Sequence, residues 1–128
     1  MMDTSFIIDL ARGVKKVSEY LDLINRYGGA LTSISYFEIF RLREKMDKKE
    51  ESYFNLLFSS YPIYSFDIKA AEKAAKIWSK LRRIGRPVNP IDIMIAGIMV
   101  ANGISNIITR DRDFLEILKV EDINVILI

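Results

Sequence analysis

Short apolar runs alternate along the chain with longer segments in which apolar residues recur at helical spacing, and no other feature limits the fold as strongly. The strand-like runs are residues 1–4, 30–34, 62–66, 104–109 and 124–128. The segments between them predict helices at 5–12, 14–27, 35–45, 50–59, 67–84, 91–101 and 113–118. Strands that alternate with helices in this way predict an α/β domain with a mainly parallel sheet.

A chain of 128 residues is long enough for one domain with a substantial core, so residues 1–128 are expected to form a single domain. Half of the residues are hydrophobic and 28% are charged, which is typical of a globular protein. No apolar run reaches the roughly 18 residues of a membrane span, and the first residues lack the basic segment of a signal peptide. We therefore expect a cytoplasmic protein with no membrane partner.

The chain contains no cysteine and no histidine. This excludes thiol nucleophiles, disulfide frameworks and zinc sites built from those residues. It also excludes Ser-His-Asp hydrolysis and histidine-based cleavage of RNA. Catalysis would have to rest on carboxylates, amines, guanidinium groups and hydroxyls, together with a hard metal ion.

The segment 67–84 has a clear amphipathic pattern. Asp67 is placed to cap its start, and Gly85 is placed to end it. The apolar stripe predicted for this helix consists of Ala71, Ala74, Ala75, Trp78 and Leu81.

Four acidic residues occupy positions that bring them to one end of the predicted sheet. Asp3 ends the first strand, Glu38 lies one helical turn after the second, and Asp111 follows the fourth. Asp92 is the only charge in the apolar run IDIMIAGIMVA, residues 91–101. Ligands of parallel α/β sheets bind beyond the carboxyl ends of the strands, so the four carboxylates are expected to converge. Crowded carboxylates repel unless a cation neutralises them, and a Mg²⁺ or Mn²⁺ ion held by oxygen ligands can activate water toward a phosphodiester.

Each acid also has a purely structural explanation. Asp92 fits the third position of a helix capped by Asn89, and Ser35 with Glu38 fits a capping box. The other two acids could cap the following helix or occupy a turn. Taken singly, these explanations are the simpler ones. Taken together, the apolar flanks of Asp92 and Glu38 favour a site near the core, and a cap that fixes a rotamer is compatible with a metal ligand.

Three stretches carry a resemblance to a known family. They are DTSFIIDL at 3–10, ISYFEIF at 34–40 and PIDIMIAGIMVANGISNIITRDRDF at 90–114. In order and spacing they resemble the PIN-domain family and, within it, the VapC toxins of toxin–antitoxin pairs. The resemblance implies a three-layer α/β/α domain with a parallel sheet. It also implies a Mg²⁺- or Mn²⁺-dependent ribonuclease in which an activated water leaves 5′-phosphate and 3′-hydroxyl ends.

The family's motifs assign roles to particular residues of this chain. The four acids that match the catalytic positions are Asp3, Glu38, Asp92 and Asp111. The implied metal ligands are Asp3, Asp92, Asp111 and Asp113, because Asp113 lies in the same motif as Asp111 and could share or replace its role. Ser5 and Thr109 match hydroxyl positions that orient the acids or a water. Only two residues precede Asp3, so the first strand is expected to be shorter than the family's.

Basic residues number 19 against 17 acidic ones, four of which belong to the predicted cluster. The remaining surface therefore has an excess of positive charge, which attracts RNA phosphates. Arg41, Arg110 and Arg112 lie close in sequence to the cluster and are the expected RNA contacts. The other basic groups lie at 15–16, 48–49 and 82–86.

The resemblance implies two protein partners. One is a second copy of the chain, giving a homodimer. The other is an antitoxin whose C-terminal segment lies in a groove near the active site. The apolar helices within 14–27 and 36–58 are candidate surfaces for these contacts.

Two other functions remain possible from the sequence. A phosphatase or receiver domain would need a lysine after a late strand, where this chain has Arg110. A non-catalytic scaffold with the same fold would not need the acids, all of which are present.

Overall fold

The computed structural model describes residues 1–128, which form seven α-helices and four short β-strands. The helices are α1 Thr4–Ala11, α2 Lys15–Tyr27, α3 Ser33–Phe40, α4 Lys48–Ser60, α5 Ile68–Arg83, α6 Pro90–Ala101 and α7 Asp113–Ile117. The strands are β1 Leu31–Thr32, β2 Ile63–Tyr64, β3 Asn106–Thr109 and β4 Asn124–Leu127. A single 3₁₀ turn spans Arg43–Lys45. None of the helices is both long and apolar enough to cross a membrane.

The strands lie side by side in parallel. β1 pairs with β2, and β3 pairs with β4. The segment 1–3 joins the two pairs, because Met2 forms a parallel bridge with Ile108 and its N–H donates to the Ala30 carbonyl at 2.9 Å. The order across the sheet is therefore β2, β1, segment 1–3, β3, β4. The prediction of a very short first strand is confirmed: only the bridge at Met2 remains.

Helices cover both faces of the sheet. Ile107 and Ile108 are neighbours in β3 and point to opposite faces, since side chains alternate along a strand. Ile108 belongs to a core formed mainly with α1, α2, α3 and α4. Ile107 belongs to a second core formed mainly with α5, α6 and α7. The predicted three-layer α/β/α fold is confirmed.

The start of α3 differs from the prediction. The helix was expected from residue 35 to residue 45, but it spans Ser33–Phe40. The Thr32 hydroxyl accepts from the Ser35 N–H at 3.0 Å and caps the helix two residues earlier. The predicted capping box of Ser35 and Glu38 is therefore wrong, and Glu38 lies in the second turn without a capping role.

The apolar stripe of α5 also differs. Its buried residues are Ala70, Ala74, Ile77 and Leu81, whereas Trp78 is 40% exposed. The reason lies in α6, where a β-carbon added to Gly97 would come within 2.6 Å of the Ala70 carbonyl oxygen. The two helices approach so closely that only small side chains fit between them, and Trp78 is turned outward. The predicted Asp67 cap is confirmed, since its carboxylate accepts from the Ala70 N–H at 2.9 Å.

Candidate active site

The candidate site lies at the carboxyl end of the sheet, between segment 1–3 and β3. From segment 1–3, the sheet continues in one direction with β1 and then β2, and in the other direction with β3 and then β4. Such a reversal of strand order opens a crevice in parallel α/β sheets. Asp3 follows Met2 on one side of the crevice, and Thr109 ends β3 on the other.

Asp3 is held by two hydroxyl groups. Thr109 Oγ1 donates to Asp3 Oδ2 at 2.6 Å, and Ser5 Oγ donates to the same oxygen at 3.2 Å. Thr109 Oγ1 in turn accepts from the Asp111 N–H at 2.8 Å, and Ser5 Oγ accepts from the Arg110 N–H at 2.9 Å. The two hydroxyls therefore connect the start of α1 to the loop after β3.

Burial raises the pKa of the Asp3 carboxyl above its ordinary value, because the ionised form loses its hydration. The hydrogen bonds from Thr109 and Ser5 oppose this effect, and the nearby charge of Glu38 adds to it. Asp3 is only 4% exposed, and it forms no ion pair.

Glu38 is fixed by a second set of hydroxyls. Thr4 Oγ1 lies 2.7 Å from Glu38 Oε1 and 2.8 Å from Ser35 Oγ. A hydroxyl has one proton and a carboxylate can only accept, so Thr4 donates to Glu38. Ser35 is buried and also contacts Thr32 Oγ1 at 3.3 Å. This network holds one oxygen of Glu38 and leaves Oε2 without a hydrogen bond.

Asp92 is the most unusual of the acids. Asn89 caps α6 by accepting from the Ile91 N–H at 3.0 Å, so the helix start does not need the Asp92 carboxylate. Asp92 is 5% exposed, and its Oδ2 is buried with no hydrogen-bond partner. A buried polar oxygen without a partner is costly and calls for an explanation.

The burial of Asp92 and the acids around it also make its ionised form unfavourable. Burial and contact with Asp111 raise the pKa of the Asp92 carboxyl to about 9, and the charges of Asp111, Asp3 and Asp113 add to the shift. A contact between two carboxylates becomes a hydrogen bond only when one of them carries a proton. In the absence of a cation, Asp92 is therefore protonated at neutral pH.

Asp111 and Asp113 complete the cluster. Ligand oxygens of Asp92, Asp111 and Asp113 all lie within 4.8 Å of one another. Asp111 Oδ1 accepts from the Asp113 N–H at 2.9 Å and so contacts the start of α7, although the residue at the cap position is Arg112 rather than the expected Asp111. Asp113 Oδ2 lies 3.4 Å from the Asn89 N–H and connects the starts of α6 and α7.

The structure therefore places the predicted acids in two groups, a close one and a neighbouring one. Asp92, Asp111 and Asp113 form the close group, which Asp3 and Glu38 do not join. Asp3 and Glu38 continue the row of acids, since Asp3 raises the pKa of Asp92 and Glu38 raises that of Asp3.

The three predicted RNA contacts are all exposed, but their surroundings differ. Arg41 lies at the end of α3 with its guanidinium 6.0 Å from the Phe37 ring centroid. Arg110 pairs with Asp9 of α1 at 3.5 Å. Arg112 forms no ion pair.

Thr4, which donates to Glu38, was not predicted from the sequence as a site residue, and Ser35 was predicted only as a helix cap. A signal was present, because Thr4 ends one strand-like segment and Ser35 directly follows the next, both at the carboxyl end of the sheet. Asn89 was singled out only as a cap, and its contact with Asp113 could not be read from local sequence.

A PIN-domain family model matches residues 1–119. The chain is 32% identical over 98 residues to Ribonuclease VapC3 of Methanocaldococcus jannaschii, covering 77% of this chain and 95% of that protein. It is 28% identical over 127 residues to the tRNA(fMet)-specific endonuclease VapC of Shigella flexneri, covering 95% and 96%. The solved structure of DNA-bound VapBC from Salmonella typhimurium matches with a TM-score of 0.78 and 26% identity, covering 98% of this chain and 95% of that one.

Fold, acid cluster and family model agree, and the chain belongs to the PIN-domain family. Within that family it is VapC-like, as its similarity to the two VapC proteins shows.

Proposed function

We propose that this chain is a divalent-metal-dependent endoribonuclease and the toxin component of a toxin–antitoxin pair. The names of its relatives support this assignment, since one is a ribonuclease and the other a tRNA-specific endonuclease. The observation that carries the proposal is the buried, unpartnered Oδ2 of Asp92 within the close group of three carboxylates.

The donor set fits a hard cation. No lysine or arginine forms an ion pair with Asp92, Asp111 or Asp113, so the protein itself does not neutralise the group. Carboxylate oxygens are the ligands preferred by Mg²⁺ and Mn²⁺. We therefore assign Asp92, Asp111 and Asp113 as ligands, with Asp3 beside them. A divalent ion bound there would polarise the scissile phosphodiester and activate the water that attacks it in line.

The remaining residues orient these groups. Thr109 and Ser5 fix the Asp3 carboxylate in one rotamer and tie it to the backbone of the Asp111 loop. Thr4 holds Oε1 of Glu38, which leaves Oε2 available to accept a proton from the attacking water. Phosphate contacts are assigned to Arg41 and Arg112, and to the part of Arg110 that Asp9 leaves exposed.

The toxin assignment includes an antitoxin and a homodimer. The Salmonella structure is a complex of the VapB and VapC type. In this chain a groove of about 150 Å³ opens beside Glu38 between α1, α3 and α4, with Ile8, Ile39 and Phe54 among its walls. A single apolar side chain of an antitoxin segment would fit this groove, beside Glu38.

Cleavage of RNA tests the proposal. Total RNA that includes tRNA is incubated with wild type, with Asp92→Asn and with Asp122→Asn, each with Mn²⁺ or with EDTA. Wild type and Asp122→Asn should cleave only with Mn²⁺, because Asp122 is exposed and lies before β4, away from the acids. Asp92→Asn should lose at least about a hundredfold in rate, since a metal ion contributes several kcal/mol to such transition states.

Two results would contradict the assignment. Cleavage that persists in EDTA would remove the metal dependence. A wild type that neither cleaves RNA nor binds Mn²⁺ would leave the acids as structural groups and favour a non-catalytic scaffold.

A further inference from the structure

A second concave site lies at the end of α5, outside the acid cluster. Its volume is about 290 Å³, and its walls include Trp78, Arg82, Arg86, Pro87, Val88 and Ile93. This volume is at the lower end of ligand pockets, which span about 300–1,000 Å³, so it suits a single flat group rather than a folded segment. We call it the Trp78 pocket.

Two wall residues of the pocket are next in the sequence to residues at the acid cluster. Ile93 directly follows Asp92 in α6. Val88 directly precedes Asn89, whose N–H lies 3.4 Å from Asp113 Oδ2. A polymer that enters the acid cluster could therefore place a neighbouring unit in the pocket.

The turn after α5 fixes the shape of the pocket. The Gly85 N–H donates to the Arg82 carbonyl at 3.1 Å, and the Arg86 N–H donates to the Leu81 carbonyl at 2.9 Å. These two bonds form a Schellman motif, in which Gly85 adopts the required positive φ of 67°. The motif folds Arg86 back against the last turn of α5, beside Arg82.

The pocket combines an aromatic face with cations. The Arg82 guanidinium lies 5.8 Å from the Trp78 ring centroid, within the range of a cation–π contact. Arg82 and Arg83 form no ion pair, and Arg86 has only a 3.7 Å contact with Glu116. Cations at the end of a helix complement its dipole, which explains the charges but not an exposed tryptophan between them.

The net positive charge of α5 limits which kind of molecule could bind in the Trp78 pocket. α5 contains six basic residues and one acid, Glu72. A second copy of the chain docked by this face about a two-fold axis would oppose like charges, which is unfavourable. A polyanion with flat aromatic units matches both the charge and the ring, since nucleobases stack on aromatic side chains and phosphates pair with arginine.

We propose that the Trp78 pocket is a nucleotide-binding subsite for the RNA substrate, in which a base stacks on Trp78 while Arg82 and Arg86 contact the flanking phosphates. The proposal rests on the proposed ribonuclease function and adds a substrate contact outside the acid cluster.

Trp78 is the only tryptophan of the chain, so its fluorescence reports on the pocket directly. A single-stranded RNA ten-mer is titrated into the wild-type protein in EDTA, where metal-dependent cleavage is prevented. Saturable quenching of the tryptophan emission is expected, because a stacked base contacts the ring.

Variants separate the pocket from the general charge. Anisotropy of a labelled ten-mer should show about tenfold weaker binding for Trp78→Ala, the size of one stacked base. Trp78→Phe should bind close to wild type, because it keeps an aromatic face. Arg82→Ala should weaken binding and reduce the salt slope by about one, whereas Lys69→Ala at the opposite end of α5 should change affinity less than twofold.

Two outcomes would overturn the proposal. One is RNA binding that leaves both the Trp78 emission and the affinity of Trp78→Ala unchanged. The other is a Trp78→Ala protein that dissociates from dimer to monomer, since the pocket would then be an interface between copies. The test is independent of cleavage: RNA cleavage without quenching would refute the pocket alone, and quenching without cleavage would refute the ribonuclease alone.

Discussion

At the scale of single residues, the central feature is a carboxylate that the fold alone does not explain. The start of α6 is already capped by Asn89, and Oδ2 of Asp92 is buried without a hydrogen-bond partner. Hydrophobic packing would be better served by an uncharged side chain at this position. Asp92 therefore lowers the stability of the fold and serves another property, which we assign to metal binding.

The pH dependence of stability follows from Asp92. Without metal, the folded chain keeps the Asp92 proton up to about pH 9, whereas the unfolded chain loses it near the ordinary value of 3.8. Between these values the folded state binds more protons, so stability falls as the pH rises. The slope is at most about 1.4 kcal/mol per pH unit for this group. Asp3 contributes in the same direction, because its pKa is also raised.

We predict that Asp92→Asn is more stable than wild type at pH 8 in EDTA, and that the gain shrinks toward pH 5. Urea unfolding at both pH values measures it. Lower stability of Asp92→Asn at pH 8 would mean that the carboxylate contributes to the fold.

Thr109 is the second residue whose role can be tested. It is fully buried, and its hydroxyl serves both Asp3 and the Asp111 N–H. Thr109→Val should cost about 1–3 kcal/mol in unfolding free energy, because it removes the hydroxyl that donates to buried Asp3 and accepts from the Asp111 N–H. It should also weaken Mn²⁺ binding. Thr109→Ser retains the hydroxyl and is the matched control, and calorimetric titration with Mn²⁺ compares the two variants.

At the scale of elements, two helices meet more closely than their sequence pattern indicates. Gly97 allows α6 to contact α5 at Ala70 and Ala74, and a β-carbon there would lie 2.6 Å from a backbone oxygen. The backbone of α5 cannot yield as a flexible side chain would. The close approach fixes the distance between α5 and α6, the helix that contains Asp92.

Gly97→Ala is therefore predicted to destabilise the protein by about 1–3 kcal/mol or more, the usual cost of overpacking. Ala75→Ser, on the exposed side of α5, should change stability by less than about 0.5 kcal/mol. Chemical denaturation compares them. Equal stability of the Gly97→Ala protein and wild type would show that the helices can separate.

The elements that the sequence predicted well are those with strong local signals. The caps at Asp67 and Asn89 and the helix end at Gly85 depend on neighbouring residues. The wrong predictions concern positions whose burial is determined by contacts with residues distant in the sequence. Trp78 fits an apolar stripe by spacing alone, but the contact of Gly97 with Ala70 turns the helix so that Ile77 is buried instead.

The difference between local signals and distant contacts also applies to the candidate site. Spacing after strands was enough to place Asp3, Glu38 and Asp111 at one end of the sheet, because the carboxyl ends of parallel strands must lie together. It could not show that Asp92, Asp111 and Asp113 form the closest group, which depends on how α6 packs beside the loop after β3. Nor could it show that Thr4 donates to Glu38, 34 residues away.

At the scale of the whole molecule, one sheet supports both cores, and segment 1–3 joins its two halves. We predict that residues 1–128 unfold as one domain. Trp78 fluorescence reports on α5 and the turn that follows it, and far-ultraviolet circular dichroism reports on all helices. Their thermal transitions should coincide, as expected for a two-state domain. Two separate transitions would mean that the halves unfold independently.

The central claim is that the acid cluster holds a divalent metal ion, and a thermal melt tests it most directly. Wild type, Asp92→Asn and Asp122→Asn are melted with EDTA and with millimolar Mn²⁺. A ligand at one hundred times its Kd stabilises the folded state by about 2.7 kcal/mol, which raises the Tm by several degrees in a domain of this size. Wild type and Asp122→Asn should show that rise, and Asp92→Asn should not. No rise in wild type, or an equal rise in Asp92→Asn, would contradict the claim.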